Sequence, residues 1–372
     1  MDLLAAMIET GEGDALVPSA SKCSNQIGPA ALDSTDQTRP TMKDVAAMTG
    51  VTVKTVSRVV NGGARVSPET FQKVTDAIET LGFRRNEFAR QLRQRTATTI
   101  GLLLTDLSDP FFGTMMRTVE DIALQKGYML LVASSAEDPV RSVKTLASFA
   151  ARGVTNVIMS APSGIDTGII KSELATGSNI VLVDRPIPEL LLDTVLTDNF
   201  DGAARGTKHL LQHGHRRIAF FGDEPAVYTA GERRRGYESA LLEAGIAVDP
   251  ELICMGAPLS VDVHKVLDTF LSLADPPTAI FSGNNRWSVL LLRTLTEVHR
   301  SMAFVGFDDF ELAELLVPGR TVMAQDPAEI GRMAVQMLFD RIEGARTPPR
   351  IVQLRSELVS RGSGEIGTRP LD

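Results

Sequence analysis

The sequence predicts a small all-α module followed by an α/β body of two doubly wound lobes. Three observations carry that expectation. Short helical patterns crowd residues 41 to 82, apolar runs alternate with helical ones from residue 98 onward, and the charge is uneven. A chain of 372 residues exceeds one ordinary core. Its 43% hydrophobic and 23% charged residues suit a soluble globular protein, and no apolar run reaches membrane-spanning length.

The small module comes first. Residues 1 to 38 mix Gly, Ser, Ala, Pro, Asp and Thr without a period and read as a disordered extension, with Met42 as an alternative start. Lys43 to Met48 gives a first helix, Gly50 a tight turn and Val53 to Val60 a second helix ended by Asn61-Gly62-Gly63. Ser67-Pro68-Glu69 caps a third helix that stops at Gly82. Valine propensity alone favours a strand at VTVKTVSRVV, so this assignment requires tertiary packing to override it.

In the body, TTIGLLLTD, YMLLVASS, VTNVIMSAP and NIVLVDR read as strands separated by helices at 111 to 126, 140 to 152 and 167 to 176. RRIAFFGD, ELICMG, PPTAIFSGN and MAFVGFDD form a second series. Such alternation predicts parallel sheets covered on both faces, with ligands beyond the carboxyl ends of the strands and between the lobes. The expected division is 1–38 extension, 39–83 helical module, 84–97 linker, 98–363 two-lobed body and 364–372 flexible tail.

Charge separates the parts chemically. From Arg39 to Arg95 eleven Lys/Arg face five Asp/Glu, a net of +6, which leaves −14 elsewhere in a chain of net −8. A basic module suits a polyanion, and a solvated helical face gives the same count. The first residues carry Asp2, Glu9 and Glu12 but no Lys or Arg, unlike a secretory signal, so a cytoplasmic, nucleoid-associated protein is expected. Cys23 and Cys254 fit no metal or redox spacing and read as reduced thiols. His209, His213 and His215 lack an acidic third ligand, so neither metal nor cofactor is expected.

The stretch Asp44 to Arg58 supplies the parts of a helix-turn-helix: Val45 and Val56 to face inward, Gly50 to turn, and Val53, Lys54, Ser57 and Arg58 on the outside. KDVAAMTGVTVKTVSRVVNG resembles the first two helices of the LacI/GalR family of transcription regulators, and the resemblance extends over about 39 to 363. It implies that Val53, Lys54 and Arg58 read bases of a double-stranded operator, with Thr52, Thr55, Ser57 and Asn61 near phosphates. FRRNEFARQLR looks like the family's hinge helix, whose Leu92 would wedge the minor groove in a homodimer. Arg85 stands where proline is usual.

Short polar groups recur at the ends of the body's apolar runs: Asp109-Pro-Phe111-Phe112, Asp184-Arg185, Asn284-Asn285, Asp308 and Gln325, with Arg233 opening a helix. Such groups pair with vicinal hydroxyls, and a Phe face covers a sugar ring, so together they suggest a polyol. The positions are similar to the pocket of periplasmic ribose-binding proteins, whose type I fold the LacI/GalR body shares. By that resemblance Asp109, Phe111, Phe112, Asp184, Arg185, Arg233, Asn284, Asp308 and Gln325 hold a small sugar effector, best matched by ribose or a riboside. Asp109 departs from the usual asparagine. The expected function is a repressor released by sugar, not an enzyme, since no nucleophile elbow or phosphate loop occurs. Alternatives are a sugar-binding protein without DNA activity, or a regulator with a phosphoprotein co-effector.

Overall fold

The computed structural model describes residues 40–60, 66–83 and 98–368. They belong to two compact units, Met1–Phe88 and Ala89–Asp372. The expected extension, the linker with its hinge helix at 84–97, and Asn61 and Leu92 lie outside the described residues.

In the first unit, α1 (Met42–Thr49) starts at Thr41, whose side chain and backbone exchange a capping box with Asp44, and ends at Gly50 with φ +69°. Only glycine takes that left-handed turn without strain. Helix α2 (Val53–Val60) follows after two residues, and α3 (Pro68–Leu81) is capped by Ser67 and closed by Gly82. Val56 and Val59 join Val45, Ala46, Val74 and Ala77 in the core. Intrinsic helix propensity penalises each valine by at most about 0.7 kcal/mol. Burying one gains roughly 1.5 kcal/mol or more, so packing decides for helix.

The second unit holds two sheets of six strands each. The first contains β1 (Thr99–Leu104), β2 (Met129–Ser134), β3 (Asn156–Met159), β4 (Asn179–Val183), β5 (Asp193–Thr197) and β11 (Ile351–Leu354), ordered β11-β5-β4-β3-β1-β2. The second contains β6 (Ile218–Gly222), β7 (Ile253–Met255), β8 (Ala279–Ser282), β9 (Ala303–Phe307), β10 (Thr321–Ala324) and β12 (Glu357–Val359), ordered β12-β10-β9-β8-β6-β7. The pairs are parallel except β10 with β12. The two orders match position for position, so β4 corresponds to β9 and β1 to β6.

Helices cover both faces of each sheet. Helices α4 (Pro110–Gln125) and α11 (Pro327–Ile342) bury one face of the first sheet, α5 (Pro139–Ala151) and α6 (Thr167–Ala175) the other. Helices α7 (Asn199–Gln212) and α8 (Tyr228–Glu243) cover one face of the second sheet, α9 (Val263–Leu271) and α10 (Asn285–Glu297) the other. A buried parallel sheet needs apolar residues on both strand faces, which is why β1, β4, β6 and β9 read as continuous apolar runs.

Four strands go beyond the sequence expectation: β5, β10, β11 and β12. Three of them precede the points where the chain passes between the sheets, after β5, β10 and β11. Asp198, just past β5, accepts hydrogen bonds at Oδ1 from Ser356 N and Oγ, both 2.7 Å, and Arg205 Nη2 donates to its Oδ2 at 2.8 Å. Two of the crossovers are thereby fastened to each other.

The expected flexible tail from 364 is corrected in its first part. Glu365 receives Thr321 Oγ1 at 2.8 Å and meets His209 Nε2 at 2.6 Å, while Ile366 O lies 2.7 Å from His215 Nε2. Backbone hydrogen-bonding groups are satisfied there, so the segment is part of the second lobe.

A Cβ on Gly236 of α8 would lie 2.1 Å from Phe200 O of α7. Gly236→Ala is expected to destabilise the second unit by about 3 kcal/mol. Gly231→Ala, on the same helix with only Pro225 O at 3.7 Å, should be within about 0.5 kcal/mol of the parent or slightly stabilising. Urea denaturation of both variants checks this, and equal effects would refute the close-packing argument.

Candidate functional site

Helix α2 presents one face to the core and another to water. Val53, Lys54 and Arg58 are exposed, Thr52 precedes the helix and is exposed, and Thr55 and Ser57 are half-buried. Val53 is 43% exposed, as Met48 and Phe71 of the same unit are at 52% and 45%. Thr52 Oγ1 accepts from Thr55 N at 3.2 Å and lies 3.0 Å from Thr55 Oγ1, tying down the helix start. Arg58 offers a planar donor fork suited to a guanine edge or a phosphate.

The second candidate site gathers where strands of both sheets end. Asp184 follows β4 with φ +68° and Asp308 follows β9 with φ +67°, so the matching strands of the two lobes each turn left-handed on an aspartate. A short polar side chain tolerates this conformation better than most, at a cost of about 1 kcal/mol or more. Each backbone N–H is bonded to a neighbouring strand, Asp184 N to Val195 O at 3.0 Å and Asp308 N to Met323 O at 2.9 Å.

Around these turns the expected residues divide. Arg233 is buried, stacks on the Phe307 ring at 3.8 Å, and donates to Asn199 Oδ1 at 2.8 Å, Gly283 O at 2.7 Å and Asp308 Oδ2 at 3.3 Å. Gln325 bridges Thr197, whose hydroxyl donates to it, and Asp308, to which it donates. Arg185 Nε donates to Asp184 Oδ2 at 3.1 Å. Asp109 caps α4 by accepting from Phe111 N at 3.0 Å and receives Asn285 Nδ2 at 2.8 Å, a hydrogen bond from the second lobe to the first. Nearby, Arg286 Nη1 meets Asp106 Oδ2 at 3.3 Å across the same boundary.

Phe111, Asp308 and Gln325 line a cavity of about 320 Å³ together with Thr114, Phe310 and Arg361. That volume is at the small end for ligand sites. Phe112 instead packs in the first lobe's core, meeting Phe111 edge-to-face at 5.1 Å. Asn284 is occupied at both ends of its amide: Oδ1 accepts from Trp287 N at 2.8 Å and Nδ2 donates to Asp223 Oδ2 at 2.6 Å.

The residues absent from the sequence expectation are Glu137, Thr197, Asn199 and Asp223. Asp223 ends RRIAFFGD, and the strand-end rule that singled out Asp184 applies to it equally. Thr197 and Asn199 flank a crossover whose short strand gave no signal. Asn285, beside the expected Asn284, is the residue that reaches the opposite lobe, and its buried Oδ1 has no hydrogen-bond partner among the described residues.

Carboxylates outnumber guanidiniums here. Burial pushes the Asp109 carboxyl above its ordinary range despite the hydrogen bonds from Asn285 and Phe111. Burial does the same at Asp184, outweighing Arg185 and Arg233, and at Asp223, outweighing Arg286. The site therefore holds more carboxylates than guanidiniums, and burial favours the protonated or donor-bound state of three of them. Hydroxyls or amines brought by a ligand would satisfy it. Among the described residues no group of three or more His, Cys, Asp and Glu is arranged to hold a metal ion. The three histidines face separate partners, His213 Nδ1 lying 2.8 Å from His209 O and His215 Nδ1 2.9 Å from Thr278 Oγ1.

Residues 41–86 match the lacI family of bacterial regulatory proteins, and 207–364 a periplasmic binding protein-like domain. The chain is 30% identical to the HTH-type transcriptional repressor PurR of Haemophilus influenzae strain PittEE, over 87% of this chain and 98% of that protein. Among solved structures it is similar to a transcriptional regulator CelR in complex with cellobiose, at 29% identity and TM-score 0.64, covering 87% of this chain and 100% of the other. It is also similar to a LacI family regulator of Enterococcus faecium with bound ribose, at 26% identity and TM-score 0.62, covering 71% and 97%.

Because burial raises the Asp223 carboxyl in the folded state, the native chain keeps that proton to higher pH than the unfolded chain. Its contribution to stability is present below the ordinary carboxylate range and is lost as pH rises through the shifted value. Asp223→Asn is expected to stabilise the ligand-free protein more at about pH 8 than at about pH 5. Denaturation midpoints at the two pH values test this, and a pH-independent difference counts against a strained carboxylate.

Proposed function

This chain belongs to the LacI family of bacterial regulatory proteins, and we propose that it is a dimeric repressor whose hold on operator DNA is switched by a small sugar, ribose or a riboside. That it is a LacI-type transcriptional repressor, and not an enzyme, follows from the family. The sugar and the site residues are our reading. Its division of labour is a helix-turn-helix module at 39–83, a hinge at 84–97 and an effector body from 98.

The observation that carries the reading is the cleft chemistry. The hydrogen bond from Asn285 to Asp109 joins the two lobes, the same amide leaves a buried acceptor without a partner among the described residues, and burial favours the protonated or donor-bound state of the carboxyl it meets. A polyol supplies hydroxyl donors to Asp109, Asp184 and Asn285 and an apolar ring face to Phe111. It would replace the direct Asn285–Asp109 link by contacts through itself and so bias the relation of the lobes. The similar regulators that hold cellobiose and ribose support a sugar of this class. Gln325 and Arg233 tie the cleft to the crossovers next to Thr197 and Asn199, which is where a change between lobes must pass.

At the other end Val53, Lys54 and Arg58 contact base edges, while Thr52, Thr55, Ser57 and Asn61 contact phosphates. Leu92 is the wedge between base steps. Two copies place two such helices on a near-palindromic operator. Among the described residues no helix is long and apolar enough to cross a membrane. A place on the nucleoid in the cytoplasm suits this reading.

A thermal-shift screen of pentoses, hexoses and nucleosides should show ribose or a riboside raising the melting point, and the same compound should weaken operator binding. A ligand at about 100 times its Kd adds about 2.7 kcal/mol. No shift with any sugar would sink the effector assignment. For the DNA face, Arg58→Ala should lose about 1–3 kcal/mol on an operator selected from random duplexes and relax base preference at one position per half-site. Unchanged specificity in a repeat selection would remove Arg58 from base reading.

A further inference from the structure

Four guanidiniums lie around the cleft, and all four are engaged. Arg361, which lines the cavity, gives Nη1 and Nη2 to the two oxygens of Asp309 at 2.7 and 2.6 Å. Arg233 is fixed by the Phe307 ring, Asn199, a backbone carbonyl and Asp308. Arg286 is drawn to Asp106. Arg185 is forked as Arg361 is, by a carboxylate from a distant turn. Its Nη1 and Nη2 donate to the two oxygens of Glu137 at 2.7 and 2.8 Å, a parallel fork, and its Nε donates to Asp184. The paired terminal nitrogens of Arg185 are the donor face that a phosphate or carboxylate would otherwise take.

Glu137 reaches Arg185 from 48 residues earlier in the chain through an unusual turn. Ala136 and Glu137 both have left-handed backbones, at φ +52° and +59°. Ser134 Oγ accepts from Ala136 N at 3.2 Å and donates to Thr105 O at 3.0 Å, and Asp138 caps the following helix α5. The turn is therefore anchored on both sides and folds the Glu137 carboxylate back over the end of β4. Two successive residues rarely take this conformation unless their surroundings hold them there.

We propose that Glu137 is a specificity-determining residue: by occupying both terminal nitrogens of Arg185 it restricts the cleft to uncharged hydrogen-bond donors and turns away phosphorylated or carboxylated sugars. A second observation points the same way. Asn285 is only 5% exposed, its Nδ2 is committed to the Asp109 carboxylate, and its Oδ1 has no partner among the described residues, so what the cleft lacks is a donor and not another anion. Asp106, Asp109, Glu137, Asp184, Asp223 and Asp308 lie about Arg185, Arg233 and Arg286, Asp309 holds Arg361, and an added phosphate would sit among these carboxylates. The inference rests on reading this cleft as the effector site, and it names the charge class that the site accepts.

The test uses the full chain and three forms: parent, Glu137→Gln and Glu137→Ala. Calorimetric titration compares ribose, adenosine and ribose 5-phosphate, and inorganic phosphate is titrated separately by thermal shift. The parent should bind an uncharged compound and discriminate at least about tenfold against ribose 5-phosphate. Glu137→Gln should shift the ratio of the two affinities toward the phosphate ester by about tenfold, as expected for exposing a forked arginine. Inorganic phosphate should stabilise Glu137→Gln and leave the parent unmoved. A parent that binds ribose 5-phosphate as well as ribose overturns the proposal, with no variant needed. So does an unchanged affinity ratio in both folded variants. Should no sugar bind, the effector reading fails by itself, and the phosphate titration still decides Glu137: equal responses of parent and variants refute its role.

Discussion

The buried guanidinium of Arg233 is the interaction on which the body of this protein depends. It leaves water only because Phe307 covers one face and three oxygens receive its N–H groups. An unpaired buried charge would cost several kcal/mol, so those partners must stay in place. One of them, Asn199, begins the helix after the first crossover, and another, Asp308, ends the strand that faces the cleft. Gln325 then joins Asp308 to Thr197 beside two crossovers. A ligand that touches Asp308 or Gln325 therefore acts on the same bonded set that connects the lobes.

The two lobes repeat one design with different chemistry. The strands β4 and β9 hold matching places and both turn left-handed on an aspartate. In the first lobe that aspartate pairs with its neighbour Arg185, and in the second with a distant arginine on α8. The result is a cleft with more carboxylates than cations, and burial holds Asp109, Asp184 and Asp223 in a state that favours protons or donors. This acidity belongs to the sensing part of the chain. The net positive charge gathers in residues 39–95, the helical module and the linker after it, where attraction to DNA is required.

That small unit resolves a conflict between local preference and packing. VTVKTVSRVV is written in residues that favour strands, yet α2 is a helix because Val56 and Val59, three residues apart, fall into the core shared with α1 and α3. The same spacing leaves Val53, Lys54 and Arg58 outside.

The sequence by itself determined the three helices, eight of the twelve strands and the division into a basic module and an acidic two-lobed body, because each rests on a local pattern of apolar spacing, caps or charge. It also located the polar strand ends at Asp109, Asp184 and Asp308. The tertiary structure decided what those patterns could not carry. It paired Arg185 with Glu137 and Asp109 with Asn285, residues 48 and 176 positions apart. It turned Phe112 into the core beside Phe111 and committed Asn284 to capping a helix. It also pinned Glu365 and Ile366, expected in a loose tail, against the second lobe. The strands that escaped notice, similar in length to β3, β7 and β8, mix apolar residues with polar ones, as in DTVLT, IVQL and ELV. Their pairing is fixed by long-range contacts, and those contacts exist only once both sheets have formed.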